Sequence, residues 1–281
     1  MRVDLSGKTR LLGVIGHPIG HTLSPRMHNA AFAASGPDYV YLAMDVEPQV
    51  LPAAVAGLRA LGFRGFNVTM PHKEAILPLL DEVDEAALVS GAVNTVDVSS
   101  DGLRGTNTDG SGFVEACGES GVSFAGARVL LIGAGGAATA IASAVLGAGA
   151  RGVRVLNRTK SRAEKLRDKM RAVYPEAELS VHADDNPEEA VSGTDVIVNA
   201  TYLGMNEGDP LPLPVGCLRP GMVVCDAVYR PGGETKLVRR AKERGLRVIP
   251  GERMLLYQGV QAQRIWTGKE PDTAAMSEAL S

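Results

Sequence analysis

Apolar residues recur along this chain with two different periods. Short apolar runs at Arg10–Ile15, Tyr39–Val46, Gly65–Thr69 and Val93–Val98 read as strands. The helical period marks the stretches near Pro25–Ala34, Pro48–Leu61, His72–Leu80 and Val83–Ser90. Strands alternating with helices predict a mostly parallel sheet. After Asp109, a helix to about Cys117 leads into a second series. Its predicted strands are Arg128–Ile132, Val153–Leu156, Asp195–Ala200, Met222–Asp226 and Arg247–Ile249. Its helices fall near Ala137–Leu146, Ser161–Val173 and Glu234–Arg244, and the Pro- and Gly-rich stretch Glu207–Gly221 reads as a loop. This second series has the pattern of a doubly wound nucleotide domain. The last thirty or so residues are helical again. A final helix returning to the first domain makes the chain cross twice, near Asp109 and near Gly251.

Composition narrows the class. The chain has 281 residues, 45% hydrophobic and 22% charged, enough for about two globular domains. A formal net charge of -3 favours neither nucleic acid nor an anionic membrane as partner. Three cysteines, Cys117, Cys217 and Cys225, form no C-x-x-C pair, which fits a reducing cytoplasm rather than a disulfide framework. The apolar run at Leu11–Ile15 is too short for a signal peptide. The uncharged stretch Val129–Ala150 has the length of a membrane span, but its glycines suit a strand, a turn and an alanine-rich helix better. No metal site is expected.

That stretch carries the first chemistry. Arg128–Ile132 runs into Gly133-Ala134-Gly135-Gly136-Ala137-Ala138 and then a helix. Glycines let the backbone turn tightly against a pyrophosphate, and a helix N-terminus offers unpaired N–H groups. A small residue at Ala138 keeps helix and strand close. NAD-binding domains place an acid at the end of the next strand, for the ribose 2′-hydroxyl. Here that place holds Asn157-Arg158-Thr159-Lys160-Ser161-Arg162, with no acid. A guanidinium pairs bidentately with a 2′-phosphate, so NADP is favoured over NAD.

A hydride acceptor needs a proton donor beside its oxygen. Lys73, in Asn67-Val68-Thr69-Met70-Pro71-His72-Lys73, follows a strand and is expected in a first helical turn, where the positive helix end disfavours its charged form. Asp109, in Thr106-Asn107-Thr108-Asp109-Gly110, reads alone as a helix N-cap. A lysine–aspartate dyad would explain both residues. His21 is the one histidine worth weighing as an alternative acid.

At these residues the chain resembles the shikimate dehydrogenases, over essentially its whole length. Their opening pattern stands here as Gly16-His17-Pro18-Ile19-Gly20-His21-Thr22-Leu23-Ser24-Pro25-Arg26-Met27-His28-Asn29. Asn67 to Lys73, Gly91-Ala92-Val93-Asn94-Thr95, Asn107 to Gly112, Asn199 to Thr201 and Met254 to Gly259 also match, in order. The resemblance implies an α/β protein with a substrate domain at 1–108 plus 252–281 and a Rossmann NADP domain at 109–251. It implies Lys73 as proton donor and acceptor, paired with Asp109. Thr22, Ser24 and Tyr229 would bind the substrate carboxylate, and Thr69, Asn94 and Gln258 the ring hydroxyls. Gly133, Ala134, Gly135, Gly136, Ala137, Asn157 to Arg162, Ala227 and Gly251 would hold the cofactor; Glu85 is either a cofactor ligand or a solvated helix charge. The implied reaction is NADPH-dependent reduction of 3-dehydroshikimate to shikimate, on the route to aromatic amino acids. A quinate/shikimate dehydrogenase, an aminoshikimate relative and a non-catalytic NADP sensor are the alternatives, and a homodimer is one state the resemblance allows. The chain departs from the pattern at Thr22, usually Ser, and His17, usually Asn. The added methyl of Thr22 is expected to narrow the pocket against quinate.

Overall fold

A computed structural model describes residues 5–36, 38–183, 186–230 and 232–281. Its strands are β1 (Arg10–Gly16), β2 (Tyr39–Asp45), β3 (Gly65–Val68), β4 (Glu82–Val83), β5 (Thr95–Ser99), β6 (Gly102–Thr106), β7 (Arg128–Ile132), β8 (Gly152–Leu156), β9 (Glu178–His182), β10 (Val196–Asn199), β11 (Val223–Asp226) and β12 (Arg247–Ile249). Its α-helices are α1 (Ser24–Ser35), α2 (Leu51–Ala60), α3 (Glu85–Ser90), α4 (Asp109–Glu119), α5 (Gly136–Gly147), α6 (Lys160–Val173), α7 (Pro187–Val191), α8 (Lys236–Glu243), α9 (Gly251–Thr267) and α10 (Thr273–Glu278). Two compact units result: Met1–Thr108 with Leu256–Ser281, and Asp109–Leu255. None of the described helices is long and apolar enough to cross a membrane.

The first unit is built on a six-stranded sheet in the order β2-β1-β3-β5-β6-β4. Only β5 runs against the others, so the carboxyl ends of β1, β3 and β6 share one edge with the start of β5. One face buries Ile15, Val55, Leu58, Phe66, Ile76 and Val96. The other packs Leu12, Val14, Phe32 and Tyr41 against Ala262 and Trp266 of α9. Gly65 makes room for that indole: a Cβ there would lie 2.1 Å from Trp266 Nε1. The Trp266 N–H bonds the Val96 carbonyl at 3.0 Å, which satisfies the polar edge of a buried ring.

The expected helix over His72–Leu80 does not form. Turns run from Met70, and a single 3-10 turn covers Leu77–Leu79. Pro78 explains this, because it has no N–H to donate and its ring collides with the preceding helical turn. The adjacent helix starts at Glu85, two residues later than expected, with Asp84 accepting from the Ala87 N–H at 2.9 Å. Strand β5 starts at Thr95 rather than Val93, and β6, β9 and α7 were not expected from the pattern.

The second unit is a six-stranded parallel sheet in the order β12-β11-β10-β7-β8-β9. Numbered within this unit, that is the doubly wound order, with its switch point between β7 and β10. Buried Leu130, Ile132, Leu156, Ile197, Val224 and Leu237 form one core. Gly110 lets α4 lie against α5; a Cβ there would sit 2.4 Å from the Ala140 carbonyl oxygen.

Candidate active site

The first unit gathers its chemistry on the shared edge of its sheet. Chain leaving β1 supplies Thr22 and Ser24. The Thr22 hydroxyl donates to Ser24 Oγ at 3.2 Å, and Ser24 is the first residue of α1, a helix that no side chain caps. Two hydroxyls at an uncapped helix N-terminus suit a carboxylate. Chain leaving β3 supplies Thr69 and Lys73. The His17 N–H bonds the Met70 carbonyl at 3.0 Å, which ties the two loops together. Gly16 leaves space for Thr69, since a Cβ there would lie 2.4 Å from Thr69 Cγ2.

Lys73 is half-buried, and its carbonyl accepts the Val93 N–H at 2.8 Å. That bond fixes the lysine beside the segment that enters β5. The helix end expected to act on its ammonium is absent, because 72–80 is not helical. Asn94 is buried, with its Nδ2 3.5 Å from Gln258 Oε1. Thr108 follows β6, and its N–H donates to Asn94 Oδ1 at 2.8 Å.

Asp109 is the next residue. It is buried and lies inside the first turn of α4 instead of at the cap position expected from the sequence. A carboxylate there is favoured by the helix dipole. Glu85 is exposed on the first turn of α3, and His21 is exposed.

The second unit holds the glycine loop at its switch point. Gly133 has φ +116°, a conformation that a side chain rarely adopts, and a Cβ there would lie 2.9 Å from the Ala200 carbonyl oxygen. Gly135 caps α5 with no side-chain hydrogen bond, and a Cβ on it would meet nothing within 4 Å. Helix-start N–H groups lie beside it, so the loop suits a phosphate. Ala138 is fully buried where helix meets sheet.

The Gly133 N–H bonds the Leu156 carbonyl at 2.9 Å, so the segment after β8 is contiguous with the loop. There Asn157 Nδ2 donates to the Thr159 carbonyl at 2.8 Å and closes the turn into α6. Arg158, Lys160, Ser161 and Arg162 are exposed. The last turn of α6 carries Arg171, but its first turn carries no acid, so Lys160 and Arg162 stand against the dipole. Gly251 opens α9 hard against the chain beyond β11: a Cβ there would lie 2.2 Å from the Val228 carbonyl oxygen. Ala227 and Tyr229 flank that contact and are half-buried.

Sequence reasoning missed what organises this edge. Asp226, at the end of β11, is 1% exposed. Its carboxylate accepts from Asn199 Nδ2 at 2.8 Å, the Val228 N–H at 3.0 Å and the Thr235 hydroxyl at 2.6 Å. Asn199 Oδ1 in turn accepts from the Thr201 hydroxyl at 2.7 Å. The loops after β10 and β11 are thus fastened to one acid. The only sequence signal was an acid ending an apolar strand.

Burial pushes the Asp226 carboxyl up to about 6, well above the usual aspartate range. Between about pH 4 and pH 6 this carboxyl holds a proton in the folded chain that it has lost in the unfolded one, so its own contribution to folding stability falls as pH rises through that window. Asp226→Asn imitates the protonated acid. Buried His28, whose pKa is lowered to about 3, makes parent and variant alike more stable as pH rises, so the test is the difference: Tm of the variant minus Tm of the parent is expected to rise between about pH 4 and about pH 6. Parallel Tm profiles would contradict this.

Comparison with known proteins agrees with the geometry. Three family models match in chain order: the shikimate dehydrogenase substrate binding domain over residues 14–96, shikimate/quinate 5-dehydrogenase over 116–204, and the shikimate 5′-dehydrogenase C-terminal domain over 251–280. A shikimate dehydrogenase (NADP(+)) of Rubrobacter xylanophilus is 59% identical, over 100% of this chain and 98% of its own. The crystal structure of shikimate 5-dehydrogenase from Thermus thermophilus, in complex with NADP(H) and shikimate, has a TM-score of 0.87 at 38% identity, covering 97% of this chain and 98% of its own. A quinate dehydrogenase from Corynebacterium glutamicum in complex with NAD has a TM-score of 0.88 at 35% identity, covering 96% of this chain and 98% of its own. On this identity and coverage, the chain belongs to the shikimate dehydrogenase family.

Proposed function

We propose that this protein is an NADP-dependent shikimate dehydrogenase that reversibly reduces 3-dehydroshikimate to shikimate, in the cytoplasm, on the route to aromatic amino acids. The observation that carries the reading is the single sheet edge of the first unit. It collects one lysine and a set of neutral hydrogen-bonding side chains, as a polyhydroxylated acid requires. Residues 1–108 with 252–281 serve as the substrate domain and 109–251 as the nucleotide domain; the compact units divide the chain at Leu255/Leu256, within α9.

Thr22, Ser24 and Tyr229 bind the carboxylate, and Thr69, Asn94 and Gln258 the ring hydroxyls. Lys73 donates a proton to the ketone oxygen as negative charge builds there, and withdraws it in the reverse direction. Asp109 keeps the ammonium oriented and charged until it donates. Gly133 to Ala137 cradle the pyrophosphate. Asn157 to Arg162, led by Arg158, would bind the 2′-phosphate, and Ala227 and Gly251 would hold the cofactor with them. The bound nucleotide supplies the hydride.

A second reading, oxidation of quinate, is favoured by the likeness to a quinate dehydrogenase. Thr22 argues against it, since it stands where the family pattern usually has Ser and adds a methyl group to a residue proposed to bind the carboxylate. A kcat/KM comparison of shikimate and quinate with NADP⁺ separates the two. Shikimate is expected to be favoured by at least about tenfold, which corresponds to about 1.4 kcal/mol in the transition state. Comparable efficiencies would overturn the exclusion.

A further inference from the structure

The groups behind Asn94 form a continuous buried chain within the first unit. Its polarity is fixed by two backbone groups that each have only one role. The Thr108 N–H can only donate, and it lies 2.8 Å from Asn94 Oδ1. The Asn94 carbonyl can only accept, and it receives Asn67 Nδ2 at 3.0 Å. These two bonds identify the oxygen side of Asn94 and the nitrogen side of Asn67.

The rest follows in sequence. Asn67 Oδ1 accepts from the Tyr41 hydroxyl at 2.6 Å, and the Tyr41 ring is held by a stack on His28 with centroids 4.2 Å apart. Asn67 Nδ2 also donates to Thr95 Oγ1 at 2.9 Å. The Thr95 hydroxyl lies 3.0 Å from Asn94 Oδ1, which can only accept from it, and a longer 3.3 Å from Thr108 Oγ1. Asn94 therefore turns its oxygen toward Thr95 and the Thr108 backbone. Thr108 Oγ1 sits between the two ends of the amide, 3.0 Å from Nδ2 and 3.2 Å from Oδ1, and Nδ2 alone faces Gln258 Oε1, at 3.5 Å. Tyr41, Asn67, Asn94, Thr95 and Thr108 are all 6% exposed or less, so water is a poor substitute for any member.

We propose that Thr95 is a positioning residue for substrate recognition: together with the Thr108 N–H it holds the Asn94 oxygen away from Gln258, so that the Nδ2 side of the amide, at the long 3.5 Å contact with Gln258, is the side offered to the substrate. This rests on the reading of Asn94 as a ring-hydroxyl ligand. An asparagine amide is nearly symmetric in shape, so without a lock either face can turn to the ligand. With the lock, Asn94 selects a ring position that brings an oxygen lone pair. A ring ammonium at the same position brings only donors, and Asn94 rejects it.

Thr95→Val keeps the shape and removes the hydroxyl. Loss of one hydrogen bond in the lock is expected to raise KM for shikimate by about three- to tenfold. The value of kcat and the KM for NADP⁺ should stay within about twofold, and Thr95→Ser should restore KM. A shikimate KM within about twofold of the parent overturns the proposal. So does a joint change of kcat and both KM values that Ser fails to rescue. If Thr95→Val does not fold, Tyr41→Phe loosens Asn67 from the far end of the chain. A rise of about two- to threefold in shikimate KM supports the proposal in that case, and no rise overturns it. Turnover of shikimate by the parent protein tests the activity itself, whereas the ratio of variant to parent tests the lock.

Discussion

Lys73→Ala is expected to lower kcat for shikimate oxidation by about two to four orders of magnitude, the usual size of an acid–base contribution. The loss should fall on kcat and kcat/KM alike, because the proton is transferred only as the carbon–oxygen bond order changes. The KM for NADP⁺ should change little. Folding should survive as well: the bond that Lys73 makes to the Val93 N–H comes from its carbonyl, which alanine retains. Lys73 is only half-buried, so truncation opens no sealed cavity. A kcat within about tenfold of the parent would remove Lys73 from the chemistry. Exposed His21 would then be the next group to test.

Arg158→Ala is expected to raise KM for NADPH by about 10- to 100-fold, the value of one charge-assisted bidentate contact, while KM for NADH stays within about twofold. Lys160 and Arg162 stand on the same turn and retain part of the affinity, which keeps the effect within that range. Their presence also makes the result specific. A general loss of positive charge weakens both nucleotides through the shared pyrophosphate, whereas loss of a 2′-phosphate contact weakens only one. An unchanged ratio of NADPH to NADH efficiency would show that Arg158 is a solvated helix charge. Higher salt should weaken NADPH binding more than NADH binding in the parent, since an exposed phosphate contact is screened.

Much of the fold was written in local pattern. The parallel nucleotide sheet followed from apolar runs spaced by helical periods, and the glycine loop from a backbone demand that Gly133 meets at φ +116°. The helix over His72–Leu80 was misread because its apolar period outweighed Pro78, which ends any α-helix reaching Leu80. Strand β6 was missed although Gly102 turns the chain at φ +130°, because residues 99–102 gave a turn signal without a long apolar run after it.

At the site, residue types that carry chemistry were legible and the groups that hold them were not. Asp226 looks like any surface acid until the fold brings Asn199, 27 residues away, against it. Thr95 was visible as part of a motif, but its contact with Asn67, 28 residues away, exists only once β3 and β5 pair. Burial and hydrogen-bond polarity depend on such distant neighbours, and the sequence period does not encode them.

The central claim is tested most directly by nicotinamide absorbance in a mixture of the protein, NADPH and 3-dehydroshikimate. NADPH is expected to be consumed in equal amount to the shikimate formed, with NADH in its place giving a slower rate and 3-dehydroquinate little turnover. No consumption of NADPH with 3-dehydroshikimate, at a protein concentration where the nucleotide is shown to bind, would contradict the account.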